Sequence, residues 1–351
     1  MIDLRSDILG GIPEPALAAM AAAARDAPAF DLDEDPHQSA LEEETAALFG
    51  FERGMFVPTG TMANQIALRL RCDPGEMVIA ERGSHVTVNE AASTAGLNGV
   101  AVHALDGLRG HLDAATVATA LASLPRSAAD RRVGLVWLEN THNRAGGTVM
   151  PPSQRRTVVA LCREAGVPLH MDGARIWNAL LATGESPQAT VEGIDSMAVS
   201  LNKGLGAPAG ALLLGNAPFI AEARRVRRMF GGWWRPVGFL AAGARAAIAI
   251  FRERLATDHA RAARFAARLR EILPPGFAAA DPETNVVMLA VPPGVPQRRL
   301  LEALRREGVN ASDYGAAGIR FVFHARIADA DIVDAADAIA RGIASLRPAT
   351  H

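Results

Sequence analysis

The stretch "SLNKGLGAPAG", residues 200–210, contains the only lysine of this 351-residue chain, because all but one of its 36 lysines and arginines are arginine. Lysine is ordinarily among the commonest residues, so its retention at position 203 is informative. An apolar segment precedes Lys203, and the glycines and alanines that follow allow a ligand to approach the backbone closely. Arginine stays protonated in proteins, whereas a desolvated lysine can be a nucleophile. The stretch predicts a reactive amine at the end of a buried strand.

Short apolar segments that end in polar or glycine residues recur on both sides of this stretch. They cover residues 76–81, 133–140, 167–175, 196–203 and 211–215. Helical apolar spacing lies between them, for example at residues 60–72 and 152–166. Strands that alternate with helices predict an α/β fold with a largely parallel sheet covered on both faces. Ligands bind beyond the carboxyl ends of such strands, where Asn140, Asp172 and Lys203 are expected.

The C-terminal third has a different pattern. A helical, Arg/Ala-rich region from residue 238 to 269 is followed by a turn at 273–277. A strand, a helix, a second strand and a last helix then follow, at residues 285–291, 296–308, 319–325 and 328–346. This order predicts a smaller α+β domain. We place a large domain at residues 1–245, with segment 1–15 contributing to the site, and a small domain at residues 246–351.

Composition limits the function classes. Apolar residues make up 49% and charged residues 21% of the chain, and the net charge is −2, which favours a globular protein without a nucleic-acid-binding face. Two cysteines cannot form a disulfide framework, and the charged N-terminus does not resemble a signal peptide. The longest apolar stretch, residues 237–251, is shorter than the ~20 residues that span a bilayer. We expect a cytoplasmic protein without nucleic-acid or membrane partners.

A lysine that reacts with a carbonyl most often binds pyridoxal phosphate. That cofactor also needs a carboxylate next to its ring nitrogen, and Asp172 in "HMDGAR" ends an apolar strand. Its phosphate needs backbone N–H groups at the start of a helix, which Gly60 and Thr61 supply in "PTGTMANQIAL". Taken singly, such an Asp or Thr-Gly pair is more often a helix cap. The combination with Lys203 favours the cofactor.

Six motifs carry a resemblance to a known family. "IDLRSD", "PTGTMANQ", "LENTHN", "HMDGARIWNA", "NKGLGAPAG" and "GGWWR" occur in the order found in the L-threonine aldolases of the β-eliminating lyase group. The resemblance runs from residue 2 to about residue 330. It implies the aspartate-aminotransferase-like fold (fold type I of the pyridoxal-phosphate enzymes), with a mostly parallel sheet in the large domain and a smaller α+β C-terminal domain.

The resemblance also implies cofactor-binding roles. Lys203 resembles the lysine that forms the Schiff base with pyridoxal phosphate, Asp172 the partner of the ring nitrogen, and His85 the imidazole stacked on the ring. Gly60 and Thr61 resemble phosphate contacts. Lys203, His85 and Asp172 are therefore the expected catalytic residues, and no metal is expected.

Further matches concern the substrate. Ser6, Arg175 and Arg320 resemble residues that bind the substrate α-carboxylate, and Arg175 also lies in the cofactor set. Planar guanidinium groups suit bidentate carboxylate recognition. Asn140 and His142, together with Asn143 in the same motif, are expected near the cofactor and substrate.

Two further arginines imply an assembly. Arg228 and Arg235 match basic residues that reach a cofactor phosphate from a neighbouring subunit, so the resemblance implies a homotetramer or homodimer with shared sites. His170 also matches the family, and both a structural and a catalytic role are open for it.

Several residues depart from the family pattern. Leu32 stands where the family has a tyrosine, a second histidine before "ENTHN" is missing, and Asn202 replaces a serine before the lysine. Trp233 and Trp234 replace smaller residues beside Arg235, and "THLD" has become "FHAR". Two interpretations stay open: tolerated substitutions in loops, or a substrate other than threonine.

The predicted function is cleavage of a β-hydroxy-α-amino acid to glycine and an aldehyde, with His85, or a water it orders, as the candidate base. One alternative is a pyridoxal-phosphate-dependent β-eliminating lyase or aminotransferase, which would release a keto acid. Another is a non-catalytic binding protein on the same scaffold, which would lack the visible absorbance of bound cofactor.

Overall fold

The structure, a computed structural model, describes residues 1–26, 30–31, 34–123 and 132–346. Its strands are β1 (Ile2–Asp3), β2 (Arg53–Val57), β3 (Met77–Glu81), β4 (Ala101–Leu105), β5 (Val133–Glu139), β6 (Leu169–Gly173), β7 (Ser196–Ser200), β8 (Ala211–Gly215), β9 (Ala278–Ala279), β10 (Val286–Ala290), β11 (Val309–Asn310), β12 (Ser312–Asp313) and β13 (Ile319–Val322).

The α-helices are α1 (Glu14–Ala23), α2 (Pro36–Phe49), α3 (Gly60–Arg71), α4 (His85–Val88), α5 (Ala91–Asn98), α6 (Ala114–Ser123), α7 (Pro152–Ala165), α8 (Ile176–Thr183), α9 (Pro187–Thr190), α10 (Ala217–Met229), α11 (Gly238–Ala249), α12 (Phe251–Ile272), α13 (Gln297–Arg306) and α14 (Asp329–Ala344). Short 3-10 helices cover Asp7–Gly10 and Gly315–Ala317.

Seven strands form the central sheet in the order β2-β8-β7-β6-β5-β3-β4. All neighbouring pairs are parallel except those of β8, which is antiparallel to both β2 and β7. Only residues 201–210 separate β7 from β8, a connection too short for the helical crossover that a parallel pair needs. Every residue of β6, β7 and β8 is buried, as expected for a sheet covered on both faces. The predicted α/β architecture is confirmed.

The sheet topology places the strand-end residues side by side. Strands β5, β6 and β7 are neighbours, and Glu139 at the end of β5 lies opposite Asp172 of β6. The loop that contains Lys203 leaves the same edge of the sheet after β7. Parallel strands that end together bring their following residues together, which is the juxtaposition predicted for these positions.

The helix limits follow local capping signals. The Thr59 hydroxyl accepts the N–H of Met62 at 3.1 Å and starts α3. Helix α7 ends at Gly166, whose φ of 68° is the left-handed conformation that favours glycine. The helical region predicted from residue 238 is two helices, α11 and α12, with a break at Ile250.

A second core surrounds the antiparallel sheet β12-β13-β10-β9, which α12, α13 and α14 cover. Phe265, Phe321 and Phe323 pack at its centre. The N-terminal strand joins this unit, because β1 pairs in parallel with β11 and Leu4 is buried in the same core. The chain therefore enters the C-terminal unit before it builds the central sheet, and the domain limits at 245/246 stay a prediction.

Two further observations concern the whole described chain. None of its helices combines the length and the apolar character needed to cross a membrane. Cys72 and Cys162 are both buried and unpaired, and burial raises the pKa of each thiol to about 12.

Candidate active site

A cavity of about 200 Å³ lies at the carboxyl edge of the central sheet. It is lined by Pro58, Thr59, Gly60, Thr61, Asn64, His85, Glu90, Glu139, Thr141, Asn143, Asp172, Ala174, Arg175, Ser200, Asn202 and Lys203. The structure thus brings together seven of the expected site residues: Gly60, Thr61, His85, Asn143, Asp172, Arg175 and Lys203. They come from five separate strand-to-helix or strand-to-strand connections.

Lys203 lies in the loop between β7 and β8, where it is partly exposed and lines the cavity. Desolvation lowers the pKa of Lys203, and the positive charge of Arg175 lowers it further. The carboxylates of Asp172, Asp7 and Glu139 act in the opposite direction without overcoming these effects. A larger fraction of the amine is therefore neutral and nucleophilic than for an exposed lysine.

Asp172 is a buried carboxylate whose position is fixed by two donors. The amide of Asn64 donates to Oδ2 at 2.9 Å, and the backbone N–H of Ala174 donates to Oδ1 at 3.0 Å. Its residue surface is 3% exposed, so a positive partner facing it from the cavity would be attracted in a poorly screened environment.

The start of α3 offers free backbone donors. The N–H groups of Gly60 and Thr61 find no acceptor within the described part of the chain, as is usual at a helix N-terminus. A Cβ atom built on Gly60 would meet no atom within 4 Å. The helix start therefore presents two N–H groups and open space, a suitable cradle for an anion.

His85 begins α4 and is held at two points. Its backbone N–H donates to Glu139 Oε2 at 2.6 Å, and its Nδ1 lies 2.7 Å from Glu90 Oε1. Because an ionised carboxylate only accepts, Nδ1 carries a hydrogen and Nε2 is left for other partners. Burial alone would lower the pKa of His85, but Glu90 and the charges of Asp172 and Glu139 raise it above its ordinary value.

Glu90 and Asn64 are site residues that the sequence analysis missed. Glu90 is 2% exposed and accepts from Asn64 at 3.0 Å and from Gln65 at 2.8 Å, in addition to His85. The Asn64 amide bridges Glu90 and Asp172. Asn64 lies in the quoted motif "PTGTMANQ" and Glu90 lies five residues after His85, yet neither an Asn on a helix nor a Glu before one has a chemical signature of its own.

The same cluster meets the distance requirement of a metal site, since one ligand atom each of His85, Glu90 and Asp172 lie within 4.8 Å of one another. Both oxygens of Glu90 and both of Asp172 already accept N–H donors. These bonds hold the two carboxylates in fixed positions.

Arg175 is held by a buried ion pair. Its Nε and Nη2 each donate to Asp7 at 2.8 Å, and its Nη1 donates to Asn143 Oδ1 at 2.9 Å. Burial alone would raise the pKa of Asp7, but Arg175, Lys203 and Arg320 hold it well below its ordinary range. Asp7 was not predicted, because its partner is 168 residues away.

Arg320 reaches the same place from β13 of the C-terminal unit. Its Nη1 donates to Asn143 Oδ1, its Nη2 donates to the carbonyl of Arg5 at 2.9 Å, and its Nε is buried without a partner. Burial, together with the charge of Arg175, lowers its pKa to about 10. The two predicted carboxylate-binding arginines therefore share one acceptor, the amide oxygen of Asn143.

Ser6 lies next to these groups in the sequence and in space. Its hydroxyl accepts the N–H of Ile8 at 3.3 Å, which starts the short helix Asp7–Gly10, and lies 3.5 Å from Asp7 Oδ1. This places the predicted third carboxylate contact beside the Asp7–Arg175 pair.

Three residues named from the sequence, Asn140, His142 and His170, lie outside the cavity lining. Asn140 accepts the N–H of Met150 at 3.1 Å, and His142 has Nε2 2.9 Å from Glu81. His170 is fully buried against Trp137, and burial lowers its pKa to about 3.

The two predicted phosphate arginines also lie away from the cavity of the single chain. Arg228 is exposed and stacks on Trp233 with its Cζ 4.8 Å from the ring centroid. Arg235 is exposed and donates to the carbonyl of Phe30 at 2.6 Å. Residue 32, where the family tyrosine is replaced, lies outside the described residues.

Comparison with known proteins gives consistent results. The family model described as "Beta-eliminating lyase" matches residues 3–292. The chain is 37% identical over 294 residues to a low specificity L-threonine aldolase of Escherichia coli O157:H7, covering 83% of this chain and 85% of that protein. It is 33% identical over 335 residues to a probable low-specificity L-threonine aldolase 2 of Arabidopsis thaliana, covering 94% of each.

A solved structure of Leishmania major threonine aldolase superposes with a TM-score of 0.81 at 21% identity, covering 97% of this chain and 99% of that one. At this identity the match concerns the fold, and it extends over both units of the molecule.

Proposed function

The chain belongs to the beta-eliminating lyase family, and from that premise we propose that it is a pyridoxal-phosphate-dependent aldolase that cleaves a β-hydroxy-α-amino acid of the threonine type into glycine and an aldehyde. The observation that carries the proposal is the single cavity in which the only lysine of the chain meets a buried aspartate and a histidine. The predicted family and the predicted fold type I are both confirmed.

The residues present fit pyridoxal phosphate at three points. Lys203 offers a desolvated amine for the carbonyl, and Asp172 offers a fixed carboxylate for the ring nitrogen. Gly60 and Thr61 offer unpaired N–H groups for the phosphate, with open space where a side chain would stand. When bound, the cofactor supplies an electrophilic carbonyl and a ring that takes up the electron pair released at Cα.

Lys203 would hold the cofactor through its amine and would be replaced there by the amino group of the substrate. Its lowered pKa favours both events, because a neutral amine is needed to attack a carbonyl and to accept a proton. Asp172 would bind the ring nitrogen through its carboxylate, in a place where burial keeps water from screening the attraction.

His85 is the residue that we assign as general base. With Nδ1 donating to Glu90, Nε2 is the nitrogen that can take the proton of the β-hydroxyl, directly or through a water. Removal of that proton allows the Cα–Cβ bond to break and the aldehyde to leave.

Ser6, Arg175 and Arg320 bind the α-carboxylate of the substrate. Their groups converge beside the cavity around Asp7 and Asn143. Fixing the carboxylate at one end and the amine at the other orients the Cα–Cβ bond for cleavage.

The departures from the family pattern keep a second product class open. Trp233 packs under Arg228, and residue 32 lacks the tyrosine hydroxyl, so the surroundings of the β-substituent differ from those of the threonine aldolases. A β-eliminating lyase or an aminotransferase would release a keto acid instead of glycine and an aldehyde.

The test is a screen of β-hydroxy-α-amino acids for aldehyde release, with Lys203→Ala as the blank. Glycine and an aldehyde in equal amounts support the aldolase, and a keto acid supports the alternative. Equal turnover by the Lys203→Ala variant would remove the lysine from the mechanism.

We also propose a cytoplasmic homodimer or homotetramer, in which Arg228 and Arg235 reach the phosphate in a partner subunit. The exposure of both guanidinium groups supports this role. Light scattering gives the mass. Restoration of activity on mixing inactive Lys203→Ala with inactive Arg235→Ala subunits would demonstrate shared sites, and its absence in a stable mixed oligomer would contradict them.

A further inference from the structure

The only tyrosine of the chain, Tyr314, lies against the carboxylate-binding arginine of the C-terminal unit. It follows β12, in which Ser312 is the direct partner of Arg320 on β13. Side chains two residues apart share a face of a strand, so Tyr314 is a diagonal neighbour of Arg320. The Arg320 Cζ atom lies 4.1 Å from the centroid of the tyrosine ring, a cation–π contact that fixes the guanidinium plane.

The hydroxyl of Tyr314 makes a second contact, across the two units of the molecule. The Asn143 amide donates from Nδ2 to this hydroxyl at 3.1 Å. With the amide nitrogen directed to Tyr314, Oδ1 of Asn143 faces Arg175 and Arg320 and accepts from both. The guanidinium groups only donate and therefore require Oδ1 on their side, and the Tyr314 hydroxyl accepts the remaining N–H and holds the Asn143 amide in this orientation.

The arrangement around Asn143 favours the binding of an anion. Both carboxylate oxygens of Asp7 accept hydrogen bonds from Arg175. Arg320 has no acidic partner within the described part of the chain, and its buried Nε has no acceptor. Two cations share one neutral oxygen, and burial together with Arg175 lowers the pKa of Arg320. A carboxylate is the planar anion that a guanidinium edge recognises best.

We propose that Tyr314 is a positioning residue of the substrate-carboxylate subsite, which it builds by stacking on Arg320 and by orienting Asn143. Its effect is selection for substrates with a free α-carboxylate, that is α-amino acids rather than amines or amino alcohols. The proposal rests on the proposed function for the identity of the substrate. It adds a residue outside the motifs that carry the family resemblance.

A purely structural role for Tyr314 makes a different prediction. The hairpin that contains it is closed by backbone bonds, from Tyr314 N–H to Gly318 and from Gly318 N–H to Gly315, both at 2.9 Å. These bonds do not use the phenol. Removal of the hydroxyl alone therefore leaves the hairpin intact and tests only the link to Asn143.

The first experiment compares Tyr314→Phe and Tyr314→Leu in the holoenzyme. For Tyr314→Phe we expect KM for the β-hydroxy amino acid to rise about threefold to tenfold, the effect of one hydrogen bond, with kcat within about twofold. For Tyr314→Leu, which also loses the stacking, we expect KM to rise about tenfold to fiftyfold. An unchanged KM of Tyr314→Phe would overturn the proposal.

The matched control is Gln297→Ala. Gln297 Nε2 donates to the carbonyl of Gly315 and so supports the same hairpin without touching Asn143 or Arg320. We expect the kinetics of this variant to match those of the wild type. A KM increase equal to that of Tyr314→Phe would mean that any loosening of the hairpin suffices, and would overturn the positioning role.

A second readout does not depend on turnover. Because the chain has one tyrosine, biosynthetic 3-fluorotyrosine places a single ¹⁹F label at position 314. We expect the resonance of the labelled holoenzyme to shift saturably with glycine and to shift much less with methylamine, which has the amine and lacks the carboxylate. Equal shifts with both ligands, or none with glycine, would contradict the proposal.

Failure of the two proposals can be told apart. If the wild-type protein releases no aldehyde from any β-hydroxy amino acid, the proposed function fails. If it releases aldehyde while Tyr314→Phe keeps the wild-type KM, only the role of Tyr314 fails. Thermal melting of each variant shows whether Tyr314→Leu folds, and Tyr314→Phe remains informative if it does not.

Discussion

The two sides of the cavity are built in different ways. The side formed by His85, Glu90, Asp172 and Lys203, here called the floor, comes from connections of one sheet edge. The side formed by Asp7, Asn143, Arg175 and Arg320, here called the carboxylate side, joins the N-terminus, the sheet and the C-terminal unit. The floor holds its carboxylates mainly by amide donors, and the carboxylate side holds Asp7 by an ion pair.

Because of this difference, we expect the two sides to respond differently to the loss of a residue. Loss of a floor residue removes chemistry and leaves most of the packing, because its neighbours belong to one rigid sheet. Loss of a residue of the carboxylate side exposes an uncompensated buried charge and loosens the contact between the two units.

The largest effect is expected for Lys203→Arg in the floor. Arginine keeps the positive charge but stays protonated, so it cannot act as the nucleophile toward a carbonyl. We expect kcat to fall by roughly 10³-fold or more, with little change in melting temperature. Aldehyde release measures the first quantity and circular dichroism the second.

A matched control is Arg252→Lys, which makes the same exchange between arginine and lysine at an exposed position of α12 outside the cavity lining. It should leave activity and absorbance unchanged. Retention of more than a tenth of the activity by Lys203→Arg would contradict the assigned nucleophile.

The next effect concerns Asp7→Asn on the carboxylate side. Arg175 and Asp7 have side-chain exposures of 5% and 0%, so the neutral amide leaves a buried guanidinium without its counter-ion. We expect the free energy of unfolding to fall by about 3 kcal/mol at neutral pH. Urea denaturation of the cofactor-free protein measures it.

The pH dependence of the stability difference tests whether the ion pair of Asp7 and Arg175 is its cause. Burial would raise the pKa of Asp7, but Arg175 holds it below the ordinary 3.8. A carboxyl group whose pKa is lower in the folded than in the unfolded state stabilises the fold at pH values above its unfolded pKa. That stability is lost as the pH falls. The difference between the wild type and Asp7→Asn should therefore shrink below about pH 4. A difference that stays constant down to the acid transition would exclude the ion pair as its source.

The floor was largely predictable from the sequence. Lys203 stands out by composition and Asp172 ends an apolar strand, so each is visible within a few residues of its own position, whereas His85 became a candidate through the family resemblance and Glu90 was missed. The carboxylate side was less predictable from the sequence, since Arg320 is one of many arginines and became a candidate through the family resemblance alone. Asp7 lies inside a quoted motif, but its role depends on a partner 168 residues away.

Other residues had no local signal at all. Tyr314 and Asn143 meet across 171 positions, and the pairing of β1 with β11 brings the N-terminus to the C-terminal unit. Periodicity and capping report the conformation of one segment. The packing of distant segments depends on the whole core, which no single segment encodes.

A moderate effect is expected for Glu90→Gln in the floor. Glu90 raises the pKa of His85, against the lowering effect of burial. Because the proposed base must be neutral, activity rises as the pH passes its pKa. The variant should lower that pKa, so the acid limb of kcat/KM should move to lower pH, while kcat falls about tenfold from poorer orientation of the imidazole.

The control for Glu90→Gln is Gln65→Leu. Gln65 donates to Glu90 Oε2 and does not contact His85, so its loss should affect stability and leave the acid limb in place. An acid limb that moves equally in both variants, or in neither, would remove His85 from the role of base.

The smallest effect is expected for Gly60→Ala at the start of α3. A Cβ at this position meets no atom within 4 Å, and alanine favours the helix. We expect the cofactor-free protein to gain about 0.5 kcal/mol in unfolding free energy. With the phosphate in the cradle, the added methyl group should weaken pyridoxal phosphate binding about tenfold, as measured by absorbance titration.

Gly96→Ala separates the two parts of this prediction, because Gly96 lies in α5 with equally open surroundings and outside the cavity lining. It should give a similar gain in stability and leave the cofactor affinity unchanged. If Gly60→Ala also binds the cofactor as the wild type does, the phosphate lies elsewhere. The floor would then retain its amine and carboxylate, and the anion-binding end of the site would have to be sought outside α3.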